Sequence, residues 1–362
     1  MSLDPFRVNN LDLLRLFAAT QVAVLHGAHH LGLGTGEAWW VQLLGWFPGV
    51  PIFFFVSGLL ISRSYEHNPV LREYALNRGL RIYPALWTNV ALSFLAVIAT
   101  GYLASVSAAQ VAIWAAAQAT FLPFYNPEFM RGFGVGVLNG SLWTIAVELQ
   151  FYAFIPLLYL FLRPLERLRV GTNTALLSMV LVFLVINRVY FHLLPTYGDM
   201  VQFKLLGVSL IPWLYMFLLG VLAQRHLRQL LPWVQGRLLV ALPAYLALAW
   251  AGTSLGLNSG NGVHPVLYLP LIFTVLAFTY TLPHLGERLL RRNDISYGVY
   301  IYHMPVVNLL LYYGVSGNIA SLALALVLSF LLAGLSWRLV ERPAMRAKRH
   351  ALHPVPAGAP AP

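Results

Sequence analysis

The 362 residues contain no cysteine, so disulfide frameworks, thiolate nucleophiles and cysteine-ligated metal centres are excluded, and the redox compartment leaves no trace. Any metal site would have to be built from His and carboxylates, and none is expected. Charge is also scarce: Asp, Glu, Lys and Arg together make up 10% of the chain, far less than a soluble protein of this length needs to cover its surface. Acidic residues are the rarer sign, 12 against 23 Lys and Arg, for a formal charge of +11. Such an excess can mark nucleic-acid binding. Here the basic residues sit in short loops between apolar runs, where membrane topology places them, so nucleic acid is set aside as a partner.

Hydrophobic residues are abundant, at 59% of the chain, and runs long enough to cross a bilayer recur throughout. Lipid offers backbone groups no hydrogen-bond partner, so the expectation is an all-α, polytopic transmembrane helical bundle. About ten spans are expected, near 11–30, 46–64, 84–104, 142–163, 174–192, 203–223, 237–256, 264–284, 296–314 and 319–341. The segment 108–122 is too short for a span and is expected to form an interfacial or re-entrant helix. The first apolar run carries Asp12 and Arg15 and has no small-residue cleavage site after it, so it reads as the first span rather than a signal peptide.

Arginine sets the orientation. Arg7 precedes the first span, and clusters follow the even-numbered ones: Arg63, Arg72, Arg78 and Arg81; Arg163, Arg167 and Arg169; Arg225, Arg228 and Arg237; Arg288, Arg291 and Arg292; Arg342, Arg346, Lys348 and Arg349. The alternate loops hold only Arg131, Lys204 and, near a helix end, Arg188. The positive-inside bias therefore puts both termini in the cytoplasm. Residues 1–345 read as one membrane-embedded domain, and 346–362 as a basic, then Pro/Ala-rich, disordered tail. The outward loop 105–141 is the longest, and its Gly-rich stretch MRGFGVGVLNGS suits an adaptable loop over a site.

Ionisable side chains at membrane depth are costly unless paired or hydrated, so each is a functional hypothesis. Arg15 and His26 lie within LDLLRLFAATQVAVLHGAHH, almost three helical turns and about 16 Å apart on one face. With the orientation above, Arg15 falls in the inner half of span one and His26 near its outer end. Glu148 in SLWTIAVELQFY is expected near the depth of His26, and His303 in ISYGVYIYHMP near that of Arg15.

An imidazole beside a carboxylate is a general base with its orienter; equally, His26 could be an interfacial histidine and Glu148 a structural partner of another donor. Arg15 could snorkel or pair with Asp12. Arg78 and Arg81 share a helix face and suit phosphate oxygens, but topology charge on anionic lipid fits them too. Ser57 lacks a nucleophile elbow and reads as a packing residue with Gly58. His29 and His30 are expected to face outer water or headgroups. Trp39, Trp40, Trp46 and Trp143 read as an aromatic belt, with indole faces that also suit sugar rings.

LDLLR with His26 at R-x10-H spacing, FFFVSG (53–58), RGLRIYP (78–84), SLWTIAVELQFY (141–152), ISYGVYIYHMP (295–305) and VERP (340–343), in this order, resemble the acyltransferase-3 family of integral-membrane O-acyltransferases over roughly residues 8 to 345. The resemblance implies transfer of an acyl group, commonly acetyl, from acyl-CoA (acetyl-CoA) to a hydroxyl of a carbohydrate or glycosylated acceptor. The enzyme would sit in a bacterial inner membrane and modify polysaccharide of the cell envelope. It implies that Arg15 and His26 form the essential first-helix motif, that Arg78 and Arg81 form the cytoplasmic arginine motif, and that Glu148 is the family's glutamate. The second acid that often follows is Leu149 here, against any mechanism with two adjacent carboxylates.

Some members carry an extra SGNH-type domain that is not recognisable in this sequence, so the membrane core is expected to handle the acceptor. The expected scheme places CoA on Arg78 and Arg81, with Arg15 and His303 further along its path. His26, oriented by Glu148, deprotonates an acceptor hydroxyl arriving from outside, with no bound cofactor. An acyl-histidine intermediate stays open. The alternatives are O-acylation of a small, macrolide-like metabolite, or a sugar or lipid-linked transporter.

Overall fold

Apolar runs in lipid satisfy their amides only within the segment, and this chain does so throughout. The computed structural model describes residues 5, 6, 8–33, 38–168, 171–257, 260–291 and 293–352. Helix makes up 79% of the described residues, with no strand among them. In chain order the helices are α1 (Leu11–His30), α2 (Trp39–Gly45), α3 (Gly49–His67), α4 (Leu71–Ala99), α5 (Ala108–Gln118), α6 (Trp143–Arg167), α7 (Thr172–Tyr197) and α8 (Val201–Gly207). They continue as α9 (Leu214–Arg225), α10 (Leu227–Val234), α11 (Leu238–Ser254), α12 (Pro265–Thr281), α13 (Leu285–Leu290), α14 (Ser296–Tyr312), α15 (Ile319–Ser336) and α16 (Arg342–Leu352).

The structure gives a multi-pass bundle, with fewer long spans than the ten expected. Among the described residues, six stretches are long and apolar enough to cross a membrane, or eight if two bent pairs count as one span each. The pairs are α8 with the segment Ile211–Arg225, bent by 45°, and α10 with α11, bent by 85°. Two of the expected spans, α12 and α14, are only 17 residues long. Every residue of α14 from Ser296 to Asn308 is buried, so this helix is wrapped by others and faces protein rather than lipid. Hydropathy alone cannot separate such a central helix from a lipid-facing span.

Small residues bring the helices together where lipid supplies no hydrophobic drive. Gly58 of α3 faces Gly220 of α9: a Cβ on Gly58 would run into the Phe217 carbonyl, and one on Gly220 into that of Phe55. Gly298 of α14 likewise meets Ala333 of α15, where a Cβ would sit 2.8 Å from both Ala333 Cα and Cβ. Fully buried Asn10 ties the start of α1 to α12 and α13; its amide donates to the Leu282 carbonyl at 2.7 Å and its side-chain oxygen accepts from Gly286 N–H at 2.7 Å.

The loop expected to be adaptable is fastened down. Asn308 of α14 accepts from Val135 N–H at 2.8 Å and donates to the carbonyls of Val137 (2.9 Å) and Leu138 (2.8 Å). Asn139 donates to the Ile301 carbonyl at 2.7 Å. Gly134 and Gly136 take φ of 54° and 82°, and a Cβ on Gly134 would strike the Asn308 side chain, so glycine here permits tight docking. Within the same loop, α5 occupies the segment expected to hold a short interfacial or re-entrant helix, with Trp114 fully buried.

At the other end of the chain, α16 carries helix through Leu352, into the segment expected to be disordered. Arg7, Arg169 and Arg292 of the charge pattern, the side chains of Lys348 and Arg349, and residues 353–362 of the tail lie outside the described residues.

Candidate functional site

Helices α1 and α14 run side by side, and polar contacts join them at two levels. At one level Arg15 Nη1 donates to Asp294 Oδ2 at 2.6 Å, 279 positions away; at the other, His26 Nδ1 and His303 Nε2 share a hydrogen bond of 3.1 Å across 277 positions. The near-equal offsets describe two parallel helices in one register. Asp294 and His303 are nine positions apart and Arg15 and His26 eleven, so similar spacings on the two segments meet both levels.

Asp294 precedes α14 and collects two cations. Arg81 of α4 donates to the same Oδ2 that accepts from Arg15, while Ser296 caps Oδ1 through its backbone N–H (3.2 Å) and hydroxyl (2.5 Å). Burial pushes this carboxyl up, but the Arg15 and Arg81 guanidiniums and the Ser296 hydroxyl outweigh it. They hold Asp294 well below the usual carboxylate range, and it stays ionised.

Glu148 of α6 belongs with this cluster. Ser57 of α3 donates to its two carboxylate oxygens at 3.0 and 2.9 Å, and Tyr152 follows one turn on along α6. The guanidinium of Arg78 lies over the Tyr152 ring at 5.6 Å. Arg15, Ser57, Arg81, Glu148 and Tyr152 line two adjoining cavities. One is enclosed by Phe53, Phe54, Thr144, Tyr297 and Tyr300; the other, about 1730 Å³ with its open mouth, extends past Arg78 to α16. Tyr300 connects the levels: its hydroxyl meets Thr144 Oγ1 at 2.8 Å, and its ring lies 5.9 Å from that of His303.

Two expected pairings are thus corrected. His26 meets His303, not Glu148; Arg15 meets Asp294, which it shares with Arg81, not His303. Equating helix starts set His303 too deep, because Asp294, at the foot of α14, already lies level with Arg15. Glu148 projects toward Ser57 on α3, and a helix face toward one neighbour cannot be read from depth. Ser57 and Gly58 divide their work: Gly58 makes the close helix approach, while Ser57 binds the carboxylate. Arg15 does keep a weak contact with Asp12, at 4.0 Å. His30 lies beside His26, ring centroids 6.0 Å apart.

Residue-by-residue reading overlooked Asp294, Tyr152 and Tyr300. The available signal for Asp294 was an acid immediately before ISYGVYIYHMP, at the mouth of an apolar run. Trp143, expected in the outer belt, instead packs between Phe54 and Trp213. Trp46 does end on a polar partner, donating to Thr253 Oγ1 at 3.0 Å.

Long apolar helices around a buried, ion-paired interior define a multi-pass integral membrane protein with a polar core. The chain belongs to the acyltransferase-3 family, whose acyltransferase-domain model matches residues 8–338. It is 36% identical over 355 residues to nodulation protein 10 of Rhizobium leguminosarum bv. viciae, covering 94% of each chain. An O-acetyl transferase of Shigella phage Sf6 is 27% identical over 349 residues, 92% of this chain and 95% of that protein. Peptidoglycan O-acetyltransferase OatA of Listeria monocytogenes is 25% identical over 383 residues, which cover 93% of this chain and 55% of the relative. No solved structure matches the chain.

Proposed function

We propose that residues 1–345 form a membrane O-acyltransferase domain that moves an acyl group, acetyl by preference, from cytoplasmic acyl-CoA to a carbohydrate or glycosylated hydroxyl at the outer face of a bacterial inner membrane. Both termini are cytoplasmic in this reading. The observation that carries it is the two-level join along α1: Arg15 meets Asp294, at the foot of α14, together with Arg81 of α4, and His26 meets His303 of α14. Their separation along α1, about 16 Å, is comparable to an extended pantetheine arm. The arginine end receives the donor's phosphates, and the thioester reaches the histidines.

His26 is the general base. Its Nδ1 is engaged by His303, which leaves Nε2 to take the proton of the acceptor hydroxyl. The hydroxyl oxygen attacks the thioester carbonyl, the C–S bond breaks, the ester C–O bond forms, and the imidazolium returns its proton to the departing thiolate. His303 positions the ring and fixes its tautomer, the part expected of Glu148. Glu148, held by Ser57, lines the donor's path beside Tyr152, Arg15 and Arg81.

Proteoliposomes of uniform orientation test the sidedness. With labelled acyl-CoA only at the arginine face and a glycan acceptor only at the opposite face, label should reach the acceptor without free acyl-CoA crossing. Transfer that requires both substrates on one side refutes a through-membrane path, and absence of acyl-CoA turnover in any arrangement refutes the donor.

A further inference from the structure

Helix α16 lies beyond the family match, which ends at residue 338, yet it forms a wall of the donor vestibule. It follows a π-helical turn, Trp337–Glu341, whose extra residue rotates everything after it by about 100° relative to a continuous α-helix. The turn is anchored, with Trp337 Nε1 donating to Asn293 Oδ1 at 3.0 Å. The face so presented carries Arg342, Met345 and Arg346, one turn apart, and all three line the vestibule. Met345 Sδ rests 3.8 Å from Arg81 Nη1, which seats the helix on the arginine cluster.

The cations around this opening differ in their commitments. Arg15 and Arg81 are bound to Asp294. Arg78, Arg342 and Arg346 have no carboxylate partner among the described residues. Beside them Asn77 Oδ1 and Arg78 Nε are buried without a hydrogen-bond partner. Buried polar atoms are nearly always satisfied, so orphans at a cavity wall mark a missing ligand or its water. Guanidiniums without a carboxylate partner, beside an orphaned guanidinium nitrogen, call for a phosphate, which they bind through charge-assisted, fork-like contacts.

We propose that Arg342 and Arg346, with Arg78, form an anion site for the phosphates at the nucleotide end of the donor, the ribose 3′-phosphate being the group that reaches α16. The assignment rests on acyl-CoA as donor. The same phosphate chemistry could be met by an anionic lipid headgroup, since a basic helix also suits a membrane surface.

Equilibrium binding of CoA and 3′-dephospho-CoA to the purified full-length protein separates these sources. It would be run in nanodiscs of neutral lipid and of lipid containing phosphatidylglycerol, on wild type, Arg346→Lys and the double variant Arg342→Gln/Arg346→Gln. Both arginines are exposed, and thermal unfolding confirms that the variants fold. Wild type should bind CoA about tenfold tighter than the dephospho form, the worth of one good charged contact. The double variant should bind both alike in either lipid, with Arg346→Lys between. A preference that survives in the double variant, or an effect seen only with phosphatidylglycerol, overturns the site while leaving the donor assignment intact. Failure of wild type to bind CoA at all overturns both.

Discussion

Replacing Asp294 by Asn tests whether the arginine cluster is organised by this one carboxylate. The substitution keeps the volume and the Ser296 contacts but removes the charge that holds Arg15 and Arg81. Breaking a buried ion pair by deleting one partner costs about 3–5 kcal/mol, because the other charge is stranded. The two arginine side chains here are 20% and 18% exposed, so water relieves part of that, and a loss of about 2–3 kcal/mol is expected.

The pH dependence has a definite sign. The folded carboxyl lies below its unfolded value of about 3.9, so its contribution is complete above that pH and is lost only as pH falls below it toward the folded value. Thermal unfolding in detergent between pH 4 and 8 should therefore show Asp294→Asn destabilised by a constant amount across the range. Below pH 4 the gap to wild type should narrow. An unchanged unfolding midpoint at pH 7, with unchanged CoA affinity, would refute the view that Asp294 organises the cluster.

His26→Ala should lower acyl transfer by about 10²–10⁴-fold, the usual worth of a general base, with an unfolding midpoint close to wild type. His303→Ala should retain more turnover while changing the pH profile, and full activity in purified His26→Ala protein removes the base. Gly58→Ala places a methyl against the Phe217 carbonyl carbon at 2.9 Å and Gly220 Cα at 3.1 Å, all backbone that cannot step aside. Overpacking of this kind costs about 1–3 kcal/mol, and a midpoint within a degree of wild type would show that α3 and α9 have slack there.

Much of the chemistry was legible residue by residue because its cost is local. An ionisable side chain in an apolar run is expensive wherever the helix is placed, so Arg15, His26, Glu148 and His303 stand out from the sequence alone. The same holds for α5, whose segment is too short to span. The loop 105–141 was legible in length but not in behaviour. Its glycines signal backbone freedom, and only the approach of Asn308 shows that the freedom is used to dock tightly.

Helical class, membrane residence and the polar residues of the core are properties of composition and of each segment's own hydrogen-bond needs, so the chain alone determines them. Which polar residues meet is a different kind of quantity. It depends on the relative depth and rotation of helices hundreds of positions apart, set by close contacts such as Gly58 on Gly220 and Gly298 on Ala333. A shift of two or three residues along α14 exchanges one partner for another. The tertiary structure alone therefore decided that His26 meets His303, that Asp294 gathers Arg15 and Arg81, and that α14 lies inside the bundle rather than against lipid.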